Sequence, residues 1–240
     1  MPNTPAASPA VMEYTRLISL AVHELRTPTS VVAGYLRMLL NDTATPLNDR
    51  QRRMISEAEK ACGRLVDMLG ELSDVGKMDA GTAAIKDERF DLFELVHAIT
   101  GSVHEPLDRE VSLVSRGSAT GGEFHGDRAR IAALLTVVIR AVVREQPAAT
   151  TVIVDAQPVA HDGRPFARIV VSPEPDFARA AGTRPVEFDD RRGGLGLGLP
   201  LARRVVARCG GHIWSPAPPD GEPLPIGSRG ALVILLPLAA

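Results

Sequence analysis

The sequence is poor in aromatic residues and in cysteine, and it has no long apolar run. Phe, Tyr and Trp together make up 4% of the 240 residues, with a single Trp. Leu, Val, Ile and Ala must therefore build the core. The two cysteines, Cys62 and Cys209, lie far apart and lack metal-ligand spacing. That excludes a disulfide framework and suits packed thiols in a reducing cytosol. No window approaches the roughly 18 uninterrupted apolar residues of a membrane span. Residues 1–10 are rich in Pro, Ala and Ser and lack the basic and apolar regions of a signal peptide. A dominant charge is missing too. A net charge of -2 leaves no electrostatic footprint for nucleic acid or an anionic membrane surface. The expectation is a cytoplasmic protein without a membrane span, long enough for two modest domains.

What is present is periodic. Residues 1–8 read as a disordered lead, and Ser8-Pro9 as a capped helix start. Val11, Tyr14, Ile18, Ala21, Leu25, Pro28, Val32, Tyr35 and Leu39 then follow at alternating steps of three and four, a heptad seam. Residues 41–45 are turn-like, and Thr45-Pro46 offers a second cap-then-proline start. A second seam runs through Met54, Ala58, Ala61, Leu65, Met68, Leu72 and Val75. Two helices of about 30 residues joined by a tight turn make an antiparallel hairpin. Leu17, Leu36 and Leu40 add apolar surface that one hairpin cannot bury, so a homodimeric four-helix bundle through residues 9–80 is expected.

From residue 82 onward the pattern changes. Residues 84–90 are extended, and Asp91 caps an apolar helix over 92–103. Residues 111–115 alternate like a strand, and Asp127 opens a strongly apolar helix to about residue 145. Residues 151–156 and 167–171 are β-branched strands separated by a turn at His161-Asp162-Gly163. A helix over 199–209 ends at Gly210-Gly211, and 213–214 and 231–237 complete the strands. Helices and strands mixed in this order predict a two-layer α+β sandwich over residues 82–240.

The first helix carries Ser19-Leu20-Ala21-Val22-His23-Glu24-Leu25-Arg26-Thr27-Pro28. His23 falls opposite the apolar seam and should face solvent, with Thr27 one turn on along the same face. Pro28 cannot donate to the carbonyl of Glu24, a local defect beside an exposed histidine. Neutral imidazole is a nucleophile that titrates near neutrality. Glu24 is placed to orient the ring or take its other proton, and Thr27 to hold a water or a phosphoryl oxygen. The other histidines, His97, His104, His125, His161 and His212, are scattered without ligand spacing. No metal-ligating cluster is expected.

The His-Glu-Leu-Arg-Thr-Pro string resembles the phosphoacceptor box of two-component sensor histidine kinases. Residues 72–81 resemble the end of that family's second dimerisation helix, and Phe90-Asp91-Leu92-Phe93-Glu94-Leu95 its entry into an ATPase domain of the GHKL type. The resemblance covers nearly the whole chain. It implies phosphorylation of His23, Glu24 as general base, and Thr27 in dephosphorylation of a response regulator. Regulator docking is expected on the exposed faces of both helices beyond His23, around 31–38 and 57–64.

The nucleotide boxes match less well. Gly193-Gly194-Leu195-Gly196-Leu197-Gly198-Leu199 resembles the second glycine box, where backbone N–H groups and a helix N-terminus meet phosphates. Gly194, Gly196 and Gly198 would be its phosphate-facing positions. The family's asparagines fall at Val137 and Ala141, the latter holding magnesium, and an alkyl side chain cannot ligate that ion. Ser172 stands where an adenine-binding aspartate belongs, and Glu174 and Asp176 stand where glycines belong. Residues 178–192 are short for an ATP lid and lack its usual aromatic pair. Three readings follow. The chain exchanges a phosphoryl group on His23 with a response regulator aspartate, as kinase-like histidine phosphotransferases do, with ATP binding impaired. Alternatively it is a soluble ATP- and Mg-dependent kinase regulated in trans, or a non-enzymatic dimeric adaptor that binds a regulator or kinase.

Overall fold

The computed structural model describes residues 9–103, 110–186, 188–190, 196–216 and 230–239. The chain divides into two compact units, Met1–Ala83 and Ala84–Ala240.

In the first unit, α1 (Pro9–Asn41) and α2 (Asp49–Asp79) form a hairpin. α2 does not start at Thr45-Pro46. The Asp42 carboxylate accepts the backbone N–H groups of Ala44 and Thr45 at 2.8 and 3.3 Å, and also the Thr45 hydroxyl. That hydroxyl is therefore spent within the turn. The cap is Asn48, whose side chain accepts from the Gln51 N–H at 2.9 Å, while the Gln51 side chain accepts the Asn48 N–H at 3.1 Å. This reciprocal pair is a capping box. The expected Ser8 cap lies outside the described residues.

The hairpin seam also differs from the expected one. Ile18, Val22 and Ala33 of α1 and Leu69, Val75 and Gly76 of α2 are buried. Tyr14, Leu25, Val32, Tyr35 and Leu39 of the expected seam are exposed, as are Met54, Leu65 and Met68. Among the described side chains of the expected α1 seam, only Ile18 is buried. The physical reason is that the apolar surface of α1 is broader than one stripe. At 100° per residue, one edge of it packs on α2 and the other stays open. Val11 lies outside the described side chains.

In the second unit, β2 (Ser112–Gly117), β4 (Thr151–His161), β5 (Arg164–Pro173), β7 (Leu232–Pro237) and β6 (His212–Trp214) form a sheet in the order β2-β4-β5-β7-β6. β2 runs parallel to β4, and the other pairings are antiparallel. Asp162 and Gly163, with φ of 48° and 73°, give the β4–β5 hairpin the left-handed turn that suits strand twist. β1 (Glu88–Asp91) and β3 (Glu123–Gly126) make a separate ribbon, its Phe90 and Phe124 rings 5.5 Å apart.

Helices α3 (Leu92–Ser102), α4 (Arg128–Glu145) and α6 (Gly198–Arg208) cover one face of the sheet. A Cβ on Gly211 would lie 2.9 Å from Leu236 and 3.1 Å from Val206, so Leu236 points toward α6. By strand alternation, Leu232 and Ile234 point the same way. The opposite alternation set, Phe166, Val170, Trp214, Val233 and Leu235, is buried against Ala180 of α5 (Phe177–Ala181). The expected α+β sandwich therefore gains a partial third layer. A 3-10 turn, Glu174–Asp176, leads from β5 into α5. Thr183 accepts a hydrogen bond from the Trp214 indole at 3.0 Å, and the Arg168 guanidinium donates to the Ala181 carbonyl at 2.8 Å.

Candidate functional site

α1 holds His23 on its surface. Neighbouring Val22 is buried in the hairpin, and one residue further along turns His23 100° away from that seam. The His23 and Glu24 side chains are 80% and 69% exposed, and Nδ1 of the ring lies 3.1 Å from Oε1 of the carboxylate. In the tautomer with hydrogen on Nδ1, that nitrogen donates to Glu24. Nε2 then carries the free lone pair. Thr27 follows one turn on and is also exposed. α1 continues through Pro28. The Thr29 hydroxyl donates to the Leu25 carbonyl at 2.8 Å, one residue beyond the carbonyl that Pro28 cannot serve. Across the expected docking face, Arg37 Nε donates to Glu59 Oε1 at 2.9 Å and ties α1 to α2.

In the second unit, Ala141 is fully buried on α4, and Val137 is half-buried. Ser172 is also fully buried. It shares the strand alternation of Val170, so it faces α5 rather than α4. Its hydroxyl donates to the Pro173 carbonyl at 2.9 Å. Glu174 is paired with Arg116 at 2.7 Å, and Asp176 with Arg179 at 3.1 Å. Gly196, with φ of 63°, sits in the turn before α6, and Gly198 is the first residue of that helix. Gly194 and His104 lie outside the described residues. The structure thus joins His23 to Glu24, but puts Ser172 on the sheet face away from α4. No three His, Cys, Asp or Glu side chains converge as a metal site among the described residues.

Residues 13–81 match the His Kinase A (phospho-acceptor) domain. A relative from Rhizobium meliloti, an uncharacterised sensor-like histidine kinase, is 26% identical over 221 residues, 83% of this chain and 39% of the relative. Across most of its length the chain is thus similar to two-component sensor histidine kinases. The autoinducer 2 sensor kinase/phosphatase LuxQ of Vibrio cholerae is 28% identical over 210 residues, 80% of this chain and 23% of LuxQ. The sensor protein GacS of Pseudomonas syringae is 25% identical over 233 residues, 90% and 24% respectively. The chain thus spans about two fifths or less of these relatives. Among solved structures, full-length ShkA in complex with AMPPNP superposes with a TM-score of 0.66 at 20% identity, over 94% of this chain and 46% of that one. The Acinetobacter baumannii histidine kinase AdeS gives 0.53 at 17%, over 91% and 98%. Both likenesses are of fold. No helix among the described residues is long and apolar enough to cross a membrane.

Two arrangements escape a reading of the sequence. The crossing of α5 to the second sheet face has no local signal, since Phe177-Ala178-Arg179-Ala180-Ala181 suits a helix on either face. The meeting of His161 with His212, rings 5.8 Å apart, depends on sheet curvature that no spacing encodes.

Proposed function

We propose that this chain carries a phosphoryl group on His23 and exchanges it with a response regulator aspartate, and that its ATP site is impaired. The observation that carries the reading is the exposed His23 with Glu24 at 3.1 Å on its Nδ1. In phosphoryl acceptance, the Nε2 lone pair forms the N–P bond as the P–O bond to the aspartate breaks. The electrons of that bond leave on the aspartate carboxylate. Glu24 holds the Nδ1 proton and offsets the positive charge that grows on the ring. Thr27, one turn away, supports a second role, hydrolytic dephosphorylation of the regulator.

The nucleotide half supports the second clause. The family implies ATP and magnesium, and the residues present do not fit them. Ala141, at the magnesium position, offers only a methyl group with no exposed surface. Magnesium requires oxygen ligands, and phosphoryl transfer from ATP depends on such charge neutralisation. Ser172 faces the wrong side of the sheet for an adenine anchor. The segment after β5 is engaged with that same face through Ala180.

The open apolar row on the hairpin supports a homodimer through residues 9–80. Tyr14, Leu25, Val32, Tyr35 and Leu39 expose a contiguous stripe, and such stripes mark association surfaces. His23 lies on neither this stripe nor the inner seam, so pairing leaves it open to a regulator. The test is transfer from a receiver domain phosphorylated on its aspartate. Acid-labile label should appear on the wild type and be absent from His23→Ala, with the dimer intact in both. Label retained by His23→Ala would overturn the proposal.

A further inference from the structure

Two of the five histidines outside the phospho-acceptor site meet in the fold. His161 ends β4 and His212 opens β6, and both belong to the alternation set of the α5 face, with Val159 and Trp214 respectively. The tip of the β4–β5 hairpin curls over that face. The His161 ring meets Phe166 edge-on at 5.3 Å and His212 at 5.8 Å, with an interplanar angle of 68° to the latter. Phe166 is buried beneath them, whereas His212 is exposed and the His161 side chain is 33% exposed. The Asp162 carboxylate lies 3.7 Å from His161 Nε2.

Imidazole is the commonest ligand for borderline divalent ions. Two imidazoles on one tetrahedral zinc ion, at about 2.0–2.1 Å per nitrogen, have ring centres roughly 5–6 Å apart. The observed 5.8 Å falls in that interval. Rotation of the exposed His212 side chain converts the edge contact into shared ligation without moving backbone. Asp162 adds a negative charge beside the His161 nitrogen, which favours a cation there. No third His, Cys, Asp or Glu completes a cluster among the described residues, so water fills the remaining positions.

We propose that His161 and His212 form a two-histidine site for a zinc-type divalent cation, clamping the β4–β5 hairpin tip to β6 over Phe166. The two histidines share no residue with the His23-Glu24 pair or with the glycine-rich stretch before α6. Hard magnesium does not suit it, because nitrogen ligands select borderline metals.

The test is calorimetric titration of the full chain, stripped with a chelator, with zinc alone at neutral pH. His161→Gln, His212→Gln and His125→Gln are run beside it. His125 serves as the control because it too has carboxylates near, Asp87 at 3.9 Å and Glu123 at 3.8 Å. The expected result is one ion per chain at micromolar zinc, with a zinc-dependent rise in the thermal unfolding midpoint. Both signals are lost in His161→Gln and in His212→Gln and kept in His125→Gln. Because the signal is the response to zinc, a general loss of stability in a variant does not mimic it. No binding at micromolar zinc, or binding that survives both substitutions as an adventitious ion does, overturns the site.

Discussion

Nδ1 of His23 and Oε1 of Glu24 stand 3.1 Å apart on an open helix surface. Both residues are consecutive on α1, so the helix backbone sets their spacing. A carboxylate that fixes the ring tautomer also offsets the single positive charge that would grow on the ring as the N–P bond forms. Glu24→Gln keeps the size and removes the charge. It should slow phosphoryl acceptance from a phosphorylated receiver domain by about 100-fold or more, with the far-UV circular dichroism unchanged. A wild-type rate in this variant would remove Glu24 from the chemistry.

The nucleotide region makes an opposite kind of prediction. Installing the family's side chains with Val137→Asn and Ala141→Asn should not create ATP binding by calorimetry. Ala141 has no exposed surface, so an asparagine there buries an unpaired amide and costs about 1–3 kcal/mol of stability. Ser172 also stays on the other face of the sheet. Micromolar ATP affinity in the wild type, or its appearance in the double variant, would show that the pocket is intact.

Asp91 anchors the entry to the second unit. Its carboxylate accepts the N–H groups of Phe93, Glu94, Gly121 and Gly122 at 2.8, 3.2, 2.6 and 3.3 Å. It thereby joins the α3 N-terminus to the loop before β3. Asp91→Ala leaves those donors without this acceptor and should destabilise residues 84–240 by about 2–3 kcal/mol in denaturant unfolding.

The same groups set the acid limb of stability. Burial pushes the Asp91 and Asp127 carboxyls up, but the backbone N–H groups on each outweigh it, and both sit below the usual 3.8. A carboxyl depressed in the folded state contributes stability that is fully present above its unfolded value. That contribution is lost as pH falls through the folded value. Thermal midpoints should therefore hold above about pH 4 and decline below it. Asp91→Ala should show a shallower decline over that window. An equal slope would place the acid sensitivity in other groups.

Trp214 reports on the third layer. It is the single Trp of the chain, 2% exposed under the segment that carries Ala180 and Thr183. Ala180→Asp puts a carboxylate into this apolar cluster, where an unpaired charge is costly. Fluorescence emission of Trp214 should shift to the red at temperatures where the wild type is native. Unchanged emission would mean that α5 does not cover this face.

The hairpin and the mixed sheet were legible because their signals are local: heptad spacing, Asp91 and Asp127 as caps, and β-branched runs around Asp162-Gly163. The stripe of α1 that packs on α2 was not legible. Tyr14, Leu25 and Val32 score as well as Val22 and Ala33 in periodicity, and only the partner helix decides between them. The Asn48 start was missed because Thr45-Pro46 carries an equally good cap pattern. It loses because Asp42 captures the Thr45 hydroxyl. Ser172 was legible as a departure from the family pattern, but its direction depends on strand register. The string from His23 to Pro28 stood out because its residues lie within about one and a half turns of a single helix and need no tertiary contact to be read together.

The most direct test of phosphotransfer without ATP is a pair of labelling reactions on the full chain, scored as acid-labile label at His23. One supplies labelled ATP with magnesium, and the other a receiver domain labelled on its aspartate. Label from the receiver domain and none from ATP is the predicted result. Label from ATP in the chain alone would contradict it and identify a working kinase, and label from neither donor would contradict it in favour of an adaptor.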